Sequence, residues 1–393
     1  MNWFLTISAV LLAVVWTVHL VQAAFGVPSI PVLTGNEWDI SPEAIARVSG
    51  RLPRVTVIVA ARNEEAKIEE ALRSLVALDY PNLEVIGVDD RSTDATGKLM
   101  DGLAGESAGR LRVVHVSALP AGWLGKTHAM WAAAKQSTGD WILFTDADVI
   151  FRVDSLRRAV AYLETERADH LVLFPTMITH SWDEQMMIGF FQAMFVFGHR
   201  PWKVSDAKAR DYIGVGAFNM VRRSVYEKLG TYERLKLAVI DDMRLGELVK
   251  KGGFAQRTAF GNNLIRIHWA AGAMGVVRGL TKNFFAFMRF NAFFAVSAAA
   301  AVLFLNLMPF VGIVFAHGWQ RALFGVAVAG IALLYAGFSS RSEIPAYMFF
   351  LHPVSACLFS YTILRSTFVT LAQGGIVWRD TKYGLKELRQ GMD

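Results

Sequence analysis

The chain has 393 residues and a mean hydropathy of +0.34; 53% of its residues are hydrophobic and 19% are charged. This is too apolar for an ordinary soluble protein and too charged for a wholly membranous one, so we expect one water-exposed domain together with transmembrane helices. The net charge of +6 favours basic loops at a membrane over a nucleic-acid site, because no basic run is interleaved with aromatic residues. Cys357 is the single cysteine, which excludes an intrachain disulfide framework and a cysteine-cluster metal site.

The first predicted element is an apolar run over residues 3–25, which is long enough to cross a bilayer. A signal peptide is also apolar, but it normally begins with a positively charged segment. No Lys or Arg precedes this run, which favours a retained transmembrane anchor over residues 1–25. Residues 26–53 contain Pro and Gly and are predicted to be a linker.

The water-exposed domain is predicted over residues 54–289, where apolar strands alternate with helices. Strands are predicted at residues 55–60, 83–88, 111–116 and 141–144, and helices at 65–78, through Lys98, and at 126–136. This alternation predicts an α/β fold with a parallel sheet and right-handed crossovers. Such sheets bind ligands beyond the carboxyl ends of their strands.

Transmembrane helices are predicted again over residues 290–372, from apolar runs at about 290–316, 322–337 and 346–371. The last run is interrupted by His352-Pro353 and Arg365. With a cytoplasmic domain, four crossings would leave the basic tail, residues 373–393, outside. We expect a cytoplasmic tail, so one run does not cross fully.

Polar residues follow the first two predicted strands. The segment Ala61-Arg62-Asn63-Glu64-Glu65 comes directly after the first strand, and Asp89-Asp90 ends the second. The neighbouring Asn, Ser and Thr side chains can cap the helices that follow, which is one explanation of these segments. The other is that the carboxylates accept hydrogen bonds from a nucleobase or a ribose.

A glycine turn ends at Lys126, in Gly122-Trp123-Leu124-Gly125-Lys126. Its spacing is not that of a P-loop. A flexible turn, a helix N-terminus and a cation together suit a diphosphate; the alternative is a plain turn with a solvated lysine.

Two carboxylate pairs complete the pattern. Asp146 and Asp148 lie two residues apart at the end of a strand, so both project to one side, as ligands for Mg²⁺ or Mn²⁺ would. Asp241 and Asp242 open an amphipathic helix, where they either interact with the helix dipole or supply a general base.

Together with a glycine-rich segment at residues 214–223, this order of motifs over residues 54–252 resembles the family 2 glycosyltransferases. The resemblance implies a GT-A fold, a nucleotide-diphosphate sugar donor (a UDP-sugar), a divalent metal, Mg or Mn, and inversion at the anomeric carbon. It also implies a role for each matched side chain: uridine contacts for Glu64 and Asp90, base or diphosphate contacts for Lys126, ribose or metal-water contacts for Asp146, metal binding for Asp148, and general-base catalysis for Asp242.

One departure concerns the acidic pair, which is more often Glu-Asp in this family. Asp241 stands in place of the Glu and is expected to bind substrate. Because of this difference, the general base could be either Asp241 or Asp242, and the resemblance favours Asp242. Some GT-A enzymes use a late histidine as a metal ligand. A lone His is more often structural, however, and we interpret His128, His199 and His268 in that way.

The acceptor is expected to be a lipid. No Gln-x-x-Arg-Trp motif, which marks processive members of the family, follows Asp242. The glycine turn and the apolar ends of the chain look more like the hopanoid-associated and carotenoid glycosyltransferases, which act on lipids. The apolar segment 188–197 is either a core helix or an interfacial helix beside the acceptor.

We therefore predict a multi-pass enzyme of the cell (inner) membrane, with a cytoplasmic catalytic domain that adds one sugar to a lipid hydroxyl. The alternatives are a processive polysaccharide synthase and a non-catalytic, membrane-anchored protein that binds nucleotide sugars.

Overall fold

The computed structural model describes residues 2–339 and 341–391. It divides into two compact units. Of the described residues, the helical unit contains 2–29, 177–200, 269–339 and 341–389, and the sheet unit contains 30–176, 201–268 and 390–391.

The elements are numbered in chain order within the described residues. The helices are α1 (Asn2–Gly26), α2 (Pro42–Ser49), α3 (Ile68–Val76), α4 (Thr96–Glu106), α5 (Gly125–Gln136), α6 (Ser155–Thr165), α7 (Trp182–His199), α8 (Arg223–Lys228), α9 (Asp241–Lys251), α10 (Gly272–Phe287), α11 (Ala292–Asn306), α12 (Met308–Phe315), α13 (Gly318–Ser339), α14 (His352–Ala372) and α15 (Leu385–Gln390). The strands are β1 (Val55–Ala61), β2 (Leu83–Asp90), β3 (Leu111–Val116), β4 (Trp141–Asp146), β5 (Val149–Phe151), β6 (His170–Phe174), β7 (Thr176–Met177), β8 (Asn219–Arg222), β9 (Gln256–Phe260), β10 (Ile265–Ile267), β11 (Gly375–Trp378) and β12 (Thr381–Gly384).

The main sheet of the sheet unit has the strand order β3-β2-β1-β4-β8-β6-β9. Its first four strands pair in parallel, as the alternation of strands and helices predicts. The sheet as a whole is mixed, because β8, which was not among the predicted strands, runs antiparallel to both β4 and β6. A strand that enters from a loop needs no crossover helix to pair antiparallel with its neighbours, and a loop precedes β8. The α/β class is confirmed, with a mixed sheet.

Burial explains why the predicted strands form. Val55, Val57, Ile58 and Val59 of β1 have no exposed surface. Such continuous β-branched runs suit a strand that is covered on both faces. The helix that follows β2 differs from the prediction, because α4 begins at Thr96 where a helix through Lys98 was expected.

The predicted linker is largely structured. Residues 30–53 lie in the sheet unit, where Val32 forms a parallel bridge to Phe260. The buried guanidinium of Arg158 donates to the carbonyl oxygens of Leu33 and Gly35, at 3.1 and 2.8 Å. It also pairs with Asp39 at 2.9 Å. These contacts hold the segment against α6, so the sheet unit begins well before the predicted boundary at residue 54.

The helical unit contains three helices that are long and apolar enough to cross a membrane: Trp3–Ser29, Gly318–Ser339 and Ala346–Ala372. The bent pair α11 and α12, with an angle of 44° between them, would be a fourth if it forms one span. The guanidinium of Arg365 interrupts α14 but donates to the hydroxyl of Thr281 on α10 at 2.7 Å. This pairing shows how an apolar helix accommodates the charge.

Helix α7, which contains the apolar segment 188–197, belongs to the helical unit. Phe190 is fully buried and packs against Phe359 of α14, whereas Phe191 and Phe195 are half-buried. Asp183 and Glu184 at its start accept hydrogen bonds from the first backbone N–H groups of α10. Helices α7 and α10 thus lie outside the sheet unit, although the predicted catalytic domain, residues 54–289, includes them.

Candidate active site

The site is built at the carboxyl ends of the parallel strands. In the strand register, Ala60 of β1 lies opposite Asp146 of β4, and Ala61 lies opposite Asp89 of β2. This brings the acidic residues that follow separate strands to one edge of the sheet, as the pattern of motifs predicts.

Each carboxylate of the Asp146 and Asp148 pair has a lysine partner. The ammonium of Lys126 lies 2.7 Å from Asp146 Oδ1, and that of Lys67 lies 3.1 Å from Asp148 Oδ2. Burial and the negative charge of Asp146 raise the pKa of Asp148, and Lys67 opposes this shift. A carboxylate in this position is stabilised in its charged form by a nearby cation.

Lys126 links the two acidic pairs. Its ammonium lies 3.6 Å from Asp241 Oδ1 as well as 2.7 Å from Asp146. Burial alone would lower the pKa of Lys126, but the carboxylates of Asp146, Asp241 and Asp242 outweigh it and hold that pKa above its usual value. Lys126 is therefore a permanent positive charge at the start of α5.

Asp241 and Asp242 occupy different environments at the start of α9. Asp241 is buried and accepts a hydrogen bond from the hydroxyl of Tyr232 at 3.0 Å. Asp242 is partly exposed, and its Oδ1 accepts from the backbone N–H of Met243 at 2.8 Å. Burial and the charge of Asp241 raise the pKa of Asp242 to about 6, against the opposing effect of Lys126. A raised pKa and partial exposure suit Asp242 to proton transfer near neutral pH.

The glycine-rich segment touches both acidic pairs. A Cβ on Gly216 would lie 2.5 Å from Asp146 Oδ2, and a Cβ on Gly214 would lie 1.8 Å from the carbonyl oxygen of Asp242. Neither position has room for a side chain. The backbone of this segment therefore lies directly between β4 and the first turn of α9.

The loops after β1 and β2 are joined by hydrogen bonds. The backbone N–H of Thr93 donates to Asn63 Oδ1 at 2.8 Å, and that of Glu64 donates to Thr96 Oγ1 at 2.8 Å. The capping residues proposed for these loops thus bind across them, and they hold the two loops of the expected nucleotide site together.

Asp90 is buried beside the start of α5, where a Cβ on Gly125 would lie 2.3 Å from its Oδ2. Arg91 folds back at a φ of 58° and pairs with both oxygens of Asp90, at 2.7 and 2.9 Å. A nucleobase that is read by Asp90 would meet an Arg–Asp pair.

One residue of this site, Lys67, was not singled out from the sequence. His268 was interpreted as structural, and among the described residues it is part of no group of three or more His, Cys, Asp or Glu side chains that could hold a metal ion. The pairing of β10 with β5 sets Ile267 opposite Val149, so His268 follows β10 beside Asp148. The ammonium of Lys67 also donates to the carbonyl oxygen of His268 at 3.2 Å. No local signal connects these residues, because the contacts join distant parts of the chain.

The other two histidines contact aromatic rings. His128 on α5 packs against both Trp123 and Trp131, with ring centroids at 5.4 and 5.9 Å. His199 on α7 stacks on Phe195 at 4.7 Å, within the helical unit.

The donor set fits a hard divalent cation only in part. Asp146 and Asp148 supply carboxylate oxygens, which Mg²⁺ and Mn²⁺ prefer. Within residues 2–339 and 341–391, no group of three or more His, Cys, Asp or Glu side chains is arranged to hold a metal ion. An ion at this pair would therefore take further ligands from water or from a diphosphate.

Residues 56–230 match the model of the family described as Glycosyl transferase family 2. The match spans β1 to α8 and includes the Asp146 and Asp148 pair and the glycine-rich segment. The resemblance to the family 2 glycosyltransferases is confirmed over these residues, which form the α/β part of the chain.

Two curated relatives align with parts of the chain. Beta-monoglucosyldiacylglycerol synthase of Synechocystis sp. is 34% identical over 150 residues, which are 37% of this chain and 31% of that protein. The 4,4'-diaponeurosporenoate glycosyltransferase of Staphylococcus aureus is 27% identical over 194 residues, 49% of this chain and 50% of that protein. The chain thus spans a third to a half of these relatives.

Among solved structures, a mannosyltransferase from Pyrobaculum calidifontis in complex with GDP-Man and Mn²⁺ has a TM-score of 0.49 at 19% identity, and the likeness covers 91% of this chain and 99% of that chain. TarS of S. aureus in complex with UDP-GlcNAc has a TM-score of 0.41 at 16% identity, over 82% of this chain and 92% of that chain.

Proposed function

We propose that this protein is an inverting glycosyltransferase that moves one sugar from a nucleotide-diphosphate sugar to the hydroxyl of a lipid-type acceptor. The observation that carries this proposal is the arrangement of Asp242 with Lys126 and Asp146, of which the latter two lie in the stretch that matches family 2 and Asp242 follows it. A carboxylate with a raised pKa faces a permanent cation, and the cation also contacts the carboxylate pair at the end of β4.

Asp242 is the base in this proposal. It takes the proton of the acceptor hydroxyl while the acceptor oxygen forms its bond to the anomeric carbon. The bond from that carbon to the diphosphate oxygen breaks on the opposite side, and its electron pair leaves with the diphosphate. Attack opposite to the leaving group inverts the anomeric configuration.

Stabilisation of the leaving diphosphate falls to Lys126 and the N-terminus of α5. Buried cations and backbone N–H groups stabilise developing negative charge without having to reorganise. Asp148, together with Asp146, would hold Mg²⁺ or Mn²⁺. A divalent ion supplies Lewis-acid neutralisation of phosphate oxygens when it is bound.

The nucleotide is assigned to the joined loops after β1 and β2. We propose that Glu64 and Asp90 contact a uridine, the latter as a pair with Arg91. Asp146 is assigned to the ribose side and Asp241 to holding Lys126, with which it is paired at 3.6 Å.

A lipid acceptor is supported by two observations. The relatives that match the catalytic part are named for a glucosyldiacylglycerol and for a carotenoid acid. The same chain also carries three helices that could cross a membrane by length and composition. A catalytic unit that is tethered to a membrane meets an acceptor dissolved in that membrane at high effective concentration. Tethering would not raise the effective concentration of a soluble acceptor. We place the protein in the cell membrane with its sheet unit in the cytoplasm, where nucleotide sugars are found.

The two alternatives predict different products. A processive synthase would build a polymer, and no Gln-x-x-Arg-Trp motif follows Asp242 in this chain. A non-catalytic binder would retain the donor unchanged, and the presence of both acidic pairs argues against it.

The test uses the full chain in nanodiscs that contain extracted bacterial lipids, with radiolabelled UDP-glucose and, in parallel, UDP-GlcNAc and GDP-mannose. We expect label from one donor in the organic extract, at a rate at least about 10²-fold lower with Asp242→Asn protein. Label only in polymeric or water-soluble product would overturn the lipid acceptor. Donor binding without any product from any donor would favour the non-catalytic alternative.

A further inference from the structure

Three buried polar side chains, on neighbouring strands of the sheet unit, form a row of hydrogen bonds that ends at the backbone of the candidate base, Asp242. They are His170 on β6, Asn219 on β8 and Gln256 on β9, and at most 1% of each is exposed. Burial of polar groups is costly unless they are hydrogen-bonded. We call these three residues the His170 row.

Each member of the His170 row donates a hydrogen bond to the next, from Gln256 through His170 and Asn219 to the backbone of Asp242. The backbone N–H of Ile213 donates to Gln256 Oε1 at 3.2 Å, which fixes the orientation of that amide. Gln256 Nε2 therefore donates to His170 Nδ1 at 2.8 Å. The proton of His170 must then be on Nε2, which donates to Asn219 Oδ1. Asn219 Nδ2 in turn donates to the carbonyl oxygen of Asp242 at 3.2 Å.

The histidine in this row is neutral. Burial lowers the pKa of His170 to about 4, so it carries no charge at pH values well above 4. A neutral imidazole offers one donor and one acceptor, and the row uses both. The chain of hydrogen bonds is thus complete from Gln256 to the backbone of Asp242.

The same row holds the rest of helix α9. Gln256 Nε2 also lies 3.2 Å from the carbonyl oxygen of Gly246, in the second turn of α9. Gly246 lies so close to Ile213 that a Cβ would be 2.1 Å from the Ile213 carbonyl oxygen, and Gly214 contacts Asp242 in the same way. Small residues permit the close approach, and the row fixes it at two points of the helix.

We propose that the His170 row positions the base of the transfer reaction by fixing the backbone of Asp242. This inference rests on the proposed function, in which Asp242 is the base. His170, Asn219 and Gln256 are positioning residues that act through Asp242. Because a small displacement of a catalytic group can cost up to about 10²-fold in rate, a loosened row should lower kcat while donor binding is kept.

The experiment compares full-length Asn219→Leu with wild type in nanodiscs. We expect kcat to fall by about 10-fold or more, with the donor Kd from calorimetry within about twofold. Asn219→Ser is a second variant for the case that Asn219→Leu does not fold, since a hydroxyl keeps the site polar but is too short to join His170 to Asp242. His170→Gln should recover part of the kcat lost in His170→Leu, because its amide can donate to Asn219.

Thr258→Val is the matched control. Thr258 is on the same strand as Gln256, is 6% exposed and donates its hydroxyl hydrogen bond to the carbonyl oxygen of Pro201, which is not part of the His170 row. Its loss should leave kcat within about twofold of wild type, although it can lower the melting temperature. A general loss of packing would instead lower kcat in both Thr258→Val and Asn219→Leu.

A double mutant separates this inference from the proposed function. If Asn219 acts through Asp242, Asn219→Leu adds no further loss to the residual rate of Asp242→Asn. Multiplicative losses, or a folded Asn219 variant with normal kcat, would overturn the positioning role. Normal turnover of Asp242→Asn would contradict the proposal that Asp242 is the base. Loss of activity in Asp242→Asn together with normal kcat in the Asn219 variants would contradict only the positioning role of the His170 row.

Discussion

The ammonium of Lys67 lies 3.1 Å from the carboxylate of Asp148, with 42% of the lysine side chain exposed. Any divalent ion that Asp148 binds must therefore compete with a cation of the protein itself. Asp146 is occupied in the same way by Lys126. Before substrate binds, each carboxylate of this pair thus has a lysine partner, although Lys126 is shared with Asp241.

Removal of Lys67 should tighten metal binding. We expect Lys67→Met to bind Mn²⁺ about 2- to 5-fold more tightly in calorimetry without nucleotide, because a partly exposed ion pair contributes at most about 1 kcal/mol. Arg73→Met is the control, since Arg73 pairs with Glu69 and Glu106 instead. Unchanged Mn²⁺ affinity in Lys67→Met would show that the metal does not compete for Asp148.

Loss of the Asp148 charge should abolish transfer and leave the fold intact. An amide lacks the negative charge that a divalent cation requires, so Asp148→Asn should be inactive with a normal melting temperature. Excess EDTA should have the same effect on the wild-type protein, and Mn²⁺ or Mg²⁺ should reverse it. Near-normal turnover of Asp148→Asn, or activity that persists in EDTA, would remove the metal from the mechanism.

Substitution of Asp242 should lower kcat more than substitution of Asp241. We expect Asp242→Asn to lose at least about 10²-fold in kcat with little change in donor affinity, because it removes a general base. Asp241→Asn should lose less kcat, since its carboxylate is buried against Tyr232 and Lys126. The opposite ranking would assign the base to Asp241.

The rate should also have an acid limb set by Asp242. Because burial and Asp241 raise the pKa of Asp242 to about 6, the carboxylate is protonated and inactive below that pH and free above it. We expect kcat/KM to fall as the pH decreases through about 6, and the residual rate of Asp242→Asn to lack this limb. A wild-type rate that stays constant down to pH 5 would contradict the raised pKa.

Much of the sheet unit could be predicted because its signals are local. The β-branched run at residues 55–60 and the apolar segment before Asp146 became β1 and β4, and the acidic residues after them lie at one edge. The apolar runs near both ends of the chain likewise became long helices.

The remaining features depend on distant contacts. Strand β8 has four residues and no pattern of its own, so its antiparallel pairing with β4 was not predicted. Helix α7 likewise depends on a distant contact, because Phe190 packs against Phe359 of α14, which follows far later in the chain. Lys67 reaches Asp148, and Asn219 reaches Asp242, only through the tertiary fold.

Mass spectrometry of intact lipids tests most directly whether the protein transfers one sugar to a lipid. Full-length protein in nanodiscs is incubated with the nucleotide sugar that gives labelled product. The lipids are then extracted, and their masses are compared with those of lipids from a parallel reaction with Asp242→Asn protein. We predict one lipid class whose mass increases by a single sugar residue, only with the wild-type protein. A ladder of several sugars, or unchanged lipids with consumed donor, would contradict the account.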